Sequence, residues 1–252
     1  MTFKMLTLLF LTFLSVSGSS SSRRFRRTRD QAKRYLGAAF PAIARRCAEC
    51  ANEGADARAL LVELGCGSGA AVLPLLRAEA RLNAVAVDVS PNAVALLRAA
   101  LEADGAIATH RLRTATVDVR RDALPVSDAT ADFVLCVFTL SAMEPETHAR
   151  AFAKAYRALR PGGALLFRDF GLYDVKQLKC TRRLAPQHYL VNGTGVQCHF
   201  FSTETVAALA SAAGFAIEEL EYCTVRNTNR KTKKSIDRVF LHAVLRKSAD
   251  AP

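Results

Sequence analysis

The sequence predicts an α/β fold: a doubly wound, seven-stranded, mostly parallel sheet that ends in an antiparallel pair of strands. From about residue 58, short apolar runs alternate with helical patterns, as expected for a parallel sheet covered by helices on both faces. The first of these runs leads into a glycine-rich turn at residues 65–69. The last two runs, 215–225 and 237–245, are separated by only 11 residues, too few for a helical crossover, so we expect them to pair antiparallel.

The other elements follow from start and stop signals along the chain. A helix follows the glycine turn and runs through Leu75, and Ser90-Pro91 predicts a second helix, because Ser is a favoured cap and Pro a favoured first residue. A third helix covers residues 145–160. Ser202 caps a fourth, which ends at Gly214, whereas residues 171–199 form a basic, irregular stretch. The predicted strands before the terminal pair are 59–64, 84–88, 112–119, 132–140 and 164–170.

The amino-terminal end differs from the rest of the chain. Residues 1–22 place one Lys before an apolar stretch and then small residues, which is the layout of a secretory signal peptide. The arginine-rich run that follows also fits an organellar targeting extension, and an incorrectly assigned start is a third reading. We therefore divide the chain into this leader or misassigned start, a basic helical segment at 23–57, and one folded domain at 58–247.

Positive charge is concentrated in three segments. The chain has 35 basic and 23 acidic residues, giving a net charge of +12 and an isoelectric point near 9.7. Residues 23–34 hold seven basic residues and one acid, residues 226–238 hold six and one, and residues 176–183 add four more basic residues. Because the remaining body is close to neutral, these patches favour a polyanionic partner.

The cysteines and histidines give no sign of a disulfide framework or a metal site. Seven scattered cysteines are an odd number and favour a reducing compartment. Cys47 and Cys50 form a C-x-x-C, but no second ligand pair follows at zinc spacing, and the five histidines show no metal-like spacing. We expect no metal, no membrane partner and a cytoplasmic location, with a mitochondrion or other organelle as the alternative.

Acidic side chains end three successive predicted strands, and their positions distinguish between two kinds of ligand. Gly65, Gly67 and Ala70 also satisfy the nicotinamide fingerprint G-x-G-x-x-A, with Asp88 in the place of its ribose-binding acid. Glu63, however, places negative charge where a cationic amino acid fits better than a pyrophosphate. Asp118 adds an acceptor suited to an adenine amino group. Together with the terminal strand pair, these residues favour S-adenosylmethionine, while a nicotinamide oxidoreductase stays the other enzyme reading.

Several motifs, read together, resemble one known family. They are ELGCGSGAAVLPLL, AVDVSPNAVALL, VFTLSAMEPE, LFRDFGLYD and the final NRKTKKSIDRVFL. The chain resembles, over about residues 33–247, the methyltransferase-like family that makes 3-methylcytidine in tRNA. The glycine turn is shared by many methyltransferases, whereas LFRDFGLYD and the final block are more particular to this family. The resemblance implies a class I, Rossmann-like methyltransferase domain at 58–247.

The resemblance also implies roles for residues that match the family's motifs. Gly65, Gly67 and Gly69 would contact the cofactor. Asp88 would hold the ribose, and Asp118 and Val119 would flank the adenine. Val137 would line the same pocket. Independently of the resemblance, these residues fall at the carboxyl ends of predicted strands, where ligands bind in open α/β sheets.

Two departures from the family pattern concern the covering of the cofactor and the choice of target. Family members carry amino-terminal aromatic pairs that cover the cofactor, yet this chain contains no Trp, and only residues 33–43 are similar to the end of that segment. In the stretch 188–201, Asn192, Thr194 and Gln197 replace the family's Arg, Asp and Arg. Because this loop is expected to face the nucleic acid, the second departure bears on the target more than on the reaction.

Methylation at N3 of cytosine requires no general base, because that nitrogen has an in-plane lone pair and no proton to lose. Catalysis is then mostly alignment and charge, and a carboxylate near the ring would stabilise the developing cation. Asp169 is the first candidate, with Arg168 beside it, and Asp174 is the second. The alternative is that Arg168 and Asp169 form a structural pair. Phe170 and Tyr173 are candidates for stacking on a base flipped out of its stack, or are simply core residues.

A basic cluster lies in the turn of the predicted terminal hairpin. Its charges would project together beyond the sheet and bind RNA phosphates, although a charge run is often only a solvated face. The predicted RNA-binding residues are Arg230, Lys231, Lys233, Lys234 and Arg238.

The sequence thus predicts an S-adenosylmethionine-dependent RNA methyltransferase that acts on N3 of cytidine in the anticodon arm of tRNA. One alternative is a methyltransferase for a protein or small molecule. Another is a non-catalytic subunit that binds cofactor or tRNA. The expected partners are tRNA and, as known for some relatives, an aminoacyl-tRNA synthetase or other adaptor protein.

Overall fold

The structure is a computed structural model that describes residues 36–192, 194–228 and 235–249. It divides into two compact units after Val126. Seven of its ten strands belong to one mostly parallel sheet, which confirms the predicted fold class.

The first unit contains three parallel strands in the order β3-β2-β1. Its helices are amphipathic and present their apolar side chains to the strands, as Ile43, Cys47 and Cys50 do on the first helix. Its elements are α1 (Ala42–Glu53), β1 (Ala59–Leu64), α2 (Val72–Ala78), β2 (Leu82–Asp88), α3 (Pro91–Glu102) and β3 (Leu112–Thr116).

The second unit contains four strands of the same sheet, in the order β4-β5-β10-β9, and a separate antiparallel sheet in the order β6-β7-β8. Its elements are β4 (Ala131–Val137), α4 (His148–Ala158), β5 (Leu159–Phe170), α5 (Val175–Leu178), β6 (Arg182–Ala185), β7 (His188–Val191), β8 (Val196–His199), α6 (Thr203–Ala213), β9 (Ala216–Thr228) and β10 (Ser235–Arg246). Strand β10 runs antiparallel to β9, which confirms the predicted terminal pair, and it also runs antiparallel to β5.

Several predicted boundaries are confirmed. Strand β1 has the predicted ends, and Ser90 caps α3 by accepting a hydrogen bond from the Ala93 N–H. Ser202 caps α6 in the same way, and Gly214 ends that helix in the left-handed region. These helix ends could be predicted because a capping hydrogen bond joins residues about three apart in sequence.

Other boundaries differ from the prediction. Strand β3 ends at Thr116, and β4 ends at Val137, after which the backbone turns at Phe138 with φ of 53°. Strand β5 begins at Leu159, because Leu159 already pairs with Ala131 of β4, ahead of a register shift at the Gly162-Gly163 turn. The stretch expected to be irregular holds α5 and the β6–β8 sheet. No helix in the described part of the chain is long and apolar enough to cross a membrane.

Candidate cofactor site and buried charged residues

The turn after β1 needs glycine at several positions. Gly65, Gly67 and Gly69 have φ of 72°, 51° and 86°, a region that disfavours other residues. A Cβ on Gly69 would lie 2.4 Å from Leu97 Cδ1, so this glycine also lets the turn pack closely on α3. A Cβ on Gly67 would meet nothing within 4 Å. The space above Gly67 is therefore open for a ligand that approaches the backbone.

Asp88 joins the glycine turn to the start of α3. Its Oδ2 accepts a hydrogen bond from the Gly67 N–H at 2.8 Å, and its Oδ1 accepts one from the Ser90 N–H at 2.9 Å. The carboxylate is partly exposed and keeps lone pairs for a further donor. The role of Asp88 as a ribose-binding acid stays a prediction, and its partial exposure is compatible with that role.

Glu63 carries a buried oxygen that lacks a partner. The residue is 3% exposed, and its Oε2 has no hydrogen-bond partner among the described residues. Burial, reinforced by the nearby charge of Asp88, raises the pKa of Glu63 to about 8, while a hydrogen bond from the Val72 backbone lowers it. A buried acceptor beside a glycine turn is suited to a cationic donor from a ligand.

Asp118 and Val119 follow β3. Val119 is buried, and the Asp118 carboxylate accepts hydrogen bonds from Arg120 Nε and Nη2, both at 2.9 Å. These bonds lower the pKa of Asp118, so the group is ionised at neutral pH. The structure therefore adds Arg120, which the sequence analysis missed, to the neighbourhood of the predicted adenine acceptor.

In the second unit, Arg168 and Asp169 point to opposite faces of the sheet because they are neighbours on one strand. The Arg168 guanidinium lies 5.2 Å from the centre of the Phe240 ring, on the face that also carries His242 and Glu221. Asp169 lies on the other face. The geometry does not make them the structural pair that the sequence left open.

Asp169 is fully buried, and both of its oxygens accept backbone hydrogen bonds. Oδ2 binds the Ser141 N–H at 3.0 Å, and Oδ1 binds the Phe170 N–H at 2.9 Å. Burial raises the pKa of Asp169 to about 6, while these hydrogen bonds and the charge of Lys176 lower it. In this conformation the carboxylate holds the turn after β4 and does not reach solvent.

Asp174 is also fully buried, and its hydrogen bonds are structural. It accepts bonds from the backbone N–H groups of Lys176 and Val239 and from Arg238 Nε and Nη2, the last two at 2.8 and 3.1 Å. The Arg238 guanidinium also lies 5.4 Å from the ring centres of Phe170 and Phe240. The structure thus places two predicted site residues, the acid and the arginine, in an internal ion pair.

Aromatic rings and an ammonium group meet at the ends of β4 and β5. Phe138 lies 5.1 Å from Phe170 and 5.2 Å from Phe240 between ring centres, and Lys176 Nζ lies 4.2 Å from the centre of Phe170. Phe138 and Phe170 are half-buried, and Tyr173 is 72% exposed with φ of 64°. Val137 is half-buried just before this group. Phe138 and Lys176 are not among the predicted site residues, although Phe138 directly follows the predicted pocket residue Val137.

The predicted RNA-binding residues Arg230, Lys231, Lys233 and Lys234 lie outside the described residues. The departures in the stretch 188–201 have internal partners in the structure. Asn192 accepts hydrogen bonds from the backbone and hydroxyl of Thr181, and Gln197 accepts one from His188. These two side chains support the β6–β8 sheet where the family has arginines.

Comparisons with known proteins agree with the fold and the glycine turn. A family model described as "Methyltransferase domain" matches residues 61–163. A solved structure of an S-adenosylmethionine-dependent methyltransferase from Methanosarcina mazei superimposes with a TM-score of 0.62 at 20% identity, covering 79% of this chain and 96% of that one. The chain therefore has the fold of the class I methyltransferases.

Curated relatives show which family of methyltransferases the chain belongs to. The tRNA N(3)-methylcytidine methyltransferase Mettl2 of Drosophila melanogaster is 33% identical over 190 residues, covering 74% of this chain and 58% of the relative. The tRNA N(3)-cytidine methyltransferase METTL6 of Mus musculus is 34% identical over 196 residues, covering 76% and 68%. O-methyltransferase 3 of Dictyostelium discoideum is 30% identical, and the chain spans 44% of it. The chain belongs to the family of tRNA N(3)-cytidine methyltransferases.

Proposed function

We propose that the chain transfers a methyl group from S-adenosylmethionine to N3 of cytidine in the anticodon arm of a tRNA. The observation that carries this proposal is the pairing of an open glycine turn with the unpartnered Glu63 oxygen, in a chain that belongs to this family. The buried oxygen and the space above Gly67 fit a ligand with a cationic amino-acid end. A dinucleotide, whose pyrophosphate is anionic, fits this turn poorly.

The first unit supplies the groups that would hold the cofactor. Asp88 would accept hydrogen bonds from the ribose hydroxyls while it keeps the Gly67 backbone in place. Asp118 would accept from the adenine amino group. Glu63 would face the amino-acid end, and a positive charge there would favour its ionised form. The bound sulfonium supplies an activated methyl group, so no metal or acid is needed to activate the donor.

The second unit supplies stacking surface and charge. The half-buried rings of Phe138 and Phe170 and the exposed ring of Tyr173 would stack on an unpaired base, a kind of contact worth about 1–3 kcal/mol per base. Asp169, which is ionised above its pKa of about 6, would place a negative charge behind these rings and favour the cationic product ring. Because Asp169 is buried, we assign it to electrostatics and positioning and not to direct contact with the base.

The test is methyl transfer to total tRNA by the purified full chain, followed by digestion and mass spectrometry of the nucleosides. We expect new 3-methylcytidine with the parent chain, and none with Asp88→Asn, which weakens the acceptor at the ribose. Asp128→Asn is the matched control, because Asp128 is an exposed carboxylate paired with Arg157.

Each outcome decides part of the proposal. Another methylated nucleoside would retain the methyltransferase and overturn the target atom. Binding of S-adenosylmethionine and tRNA without turnover, even after addition of a synthetase fraction, would favour the non-catalytic subunit. Activity that appears only with that fraction would support the adaptor partner. Absence of cofactor binding would overturn the proposal.

A further inference from the structure

Three histidines that the proposed function does not use meet in the second unit. The His199 ring centre lies 5.0 Å from His148 and 6.0 Å from His188, and it lies 4.6 Å from Phe201. All three histidines are buried. They come from the start of α4 and from the paired strands β7 and β8, so the cluster joins this strand pair to a helix that is distant from it in sequence.

The cluster is connected to the turn that holds Asp169. His148 Nε2 donates a hydrogen bond to the Leu140 carbonyl at 2.8 Å. Leu140 begins the short helical turn Leu140–Ala142, whose Ser141 N–H binds Asp169, and β8 packs against this turn. The imidazole of His148 is therefore linked to the buried Asp169 carboxylate through the Leu140 carbonyl and the Ser141 N–H.

The surroundings of His148 and His199 favour neutral rings. Both nitrogens of His199 and the Nδ1 of His188 are buried without a hydrogen-bond partner in the part of the chain that the structure describes. Burial, with the two neighbouring histidines, lowers the pKa of His199 to about 3, and burial also lowers the pKa of His148. Glu146 is a nearby anion that favours a charged His148, but desolvation outweighs it.

The other charged groups described around the cluster do not offset the positive charge of a second protonated imidazole ring. Asp169 lies beyond the turn and is bound to backbone N–H groups. The His188 Nε2 donates to the uncharged Gln197. No group of three or more His, Cys, Asp or Glu side chains in the described ranges is arranged to hold a metal ion, so the cluster is not a metal site there.

We propose that His148, His188 and His199 form a histidine clamp that holds the Leu140–Ala142 turn, and with it Asp169, in place only while His148 and His199 are uncharged. His148 is then a positioning residue for methyl transfer, a part of the inference that rests on the proposed function. Acid would open the clamp by charging rings that lie 5–6 Å apart between centres. The β7–β8 strands and the turn would loosen together.

The sign and size of the effect follow from linkage. An opened clamp exposes His148 and His199, whose ordinary pKa is about 6.5, whereas the closed clamp lowers the pKa of both. Between pH 7.5 and 5.5, the return of the His199 pKa from about 3 to its ordinary value increases the open population about tenfold. The lowered pKa of His148 adds to this increase.

Hydrogen exchange measured on the purified full chain tests the clamp without any assay of methylation. After correction for the intrinsic pH dependence of exchange, protection should fall by about tenfold or more between pH 7.5 and 5.5, in residues 138–148 and in 188–199 together. His199→Phe, which fills the same space with an uncharged ring, should remove most of that dependence. His148→Gln keeps a donor for the Leu140 carbonyl and should protect the turn normally at pH 7.5, whereas His148→Leu should not.

Equal pH dependence in the parent chain and in His199→Phe would overturn the proposal. So would loosening of 188–199 with the turn still protected. Should the Phe variant fail to fold, His199→Tyr replaces it, and pH-independent protection in the parent chain alone is decisive against the clamp. If methylation is absent while exchange behaves as expected, the clamp stands and the proposed function does not.

Discussion

At the scale of single residues, environment decides what an acidic side chain can do. Asp88, Asp118, Asp169 and Asp174 all follow or end strands or begin a helix, yet only the first two keep partial exposure. Asp169 and Asp174 are fully buried and bound to protein donors. Strand ends therefore identify candidate residues, and their hydrogen bonds assign the roles.

Glu63 should couple cofactor binding to pH. Because its pKa is about 8 in the free protein and a cationic ligand favours its ionised form, binding should release a proton. We expect S-adenosylmethionine to bind about tenfold more tightly at pH 7 than at pH 6. Calorimetry in buffers of different ionisation enthalpy measures both the affinity and the proton release.

Glu63→Gln supplies the control and a stability prediction. In the native state Glu63 keeps its proton up to about pH 8, whereas in the unfolded chain it loses the proton near pH 4.5. The stability of the fold therefore falls as the pH rises from about 4.5 to 8, so Glu63 destabilises the fold at pH 7. The Gln variant should be more stable at pH 7 by about 1 kcal/mol or more, and its affinity should not change between pH 6 and 7. A pH-dependent affinity in this variant would contradict the assignment.

Gly67 and Gly105 form a matched pair for testing the glycine turn. Both have positive φ, 51° and 65°, and a Cβ on either meets nothing within 4 Å. Each Gly→Ala change should cost about 1–2 kcal/mol through backbone strain alone. Only Gly67→Ala should abolish binding of S-adenosylmethionine, measured by equilibrium dialysis. Equal binding of S-adenosylmethionine by the two variants would show that the ligand does not lie against Gly67.

At the scale of elements, the segment after β5 is fixed by one buried acid. Asp174 caps α5 and ties it to β10 through Arg238 and the Val239 N–H. The cap holds a helix of only four residues, Val175–Leu178, which has too few internal hydrogen bonds to persist alone. Asp174 is therefore a structural residue, whose removal affects everything that α5 positions, Lys176 included.

Asp174→Ala should destabilise the protein by about 3–5 kcal/mol, because it leaves the Arg238 guanidinium without its partner in a largely buried position. Asp237→Ala removes a carboxylate from the exposed pair with Arg226 and should leave the melting temperature nearly unchanged. Thermal unfolding followed by circular dichroism compares the two. Similar losses would show that the Asp174 pair is energetically equivalent to a surface pair.

At the scale of the whole molecule, the parallel strands and their helices could be predicted from the sequence, and the β6–β8 sheet could not. Strand β1 is apolar at every position except Glu63, which is close to the pattern of a buried parallel strand. The strands β6, β7 and β8 have four residues each, and β6 is mostly exposed and basic, so it shows neither apolar alternation nor length. Their stability comes from pairing across the segment, which a local pattern does not reveal.

The candidate site was predictable to a similar extent. The glycine turn and Asp88 are set by local sequence and lie as expected. The alternation of side chains along β5 predicts which face of the sheet each residue lies on. It does not predict which elements pack on that face, and this packing determines the burial of Arg168, Asp169 and Asp174. The family assignment was confirmed by the curated relatives.

The basic cluster yields a prediction for the whole molecule. Reversing the charge at Lys233 and Lys234 should weaken tRNA binding and reduce the slope of log affinity against log salt by about one for each phosphate that the variant no longer neutralises. Cofactor affinity should stay the same. Reversal at the exposed Arg45 and Arg150 controls for net charge. Filter binding over a salt series measures this effect, and equal slopes in the two variants would make the cluster a solvated face.

Strand β9 forms one end of the seven-stranded sheet, and its side chains have a consequence for how copies of the chain meet. An unpaired sheet edge is a template for pairing with another chain. Here the strand carries three exposed glutamates, Glu218, Glu219 and Glu221, within four residues. Charged side chains along an edge strand disfavour its pairing with a second chain, so we expect β9 to resist edge-to-edge association although it is long and regularly hydrogen-bonded.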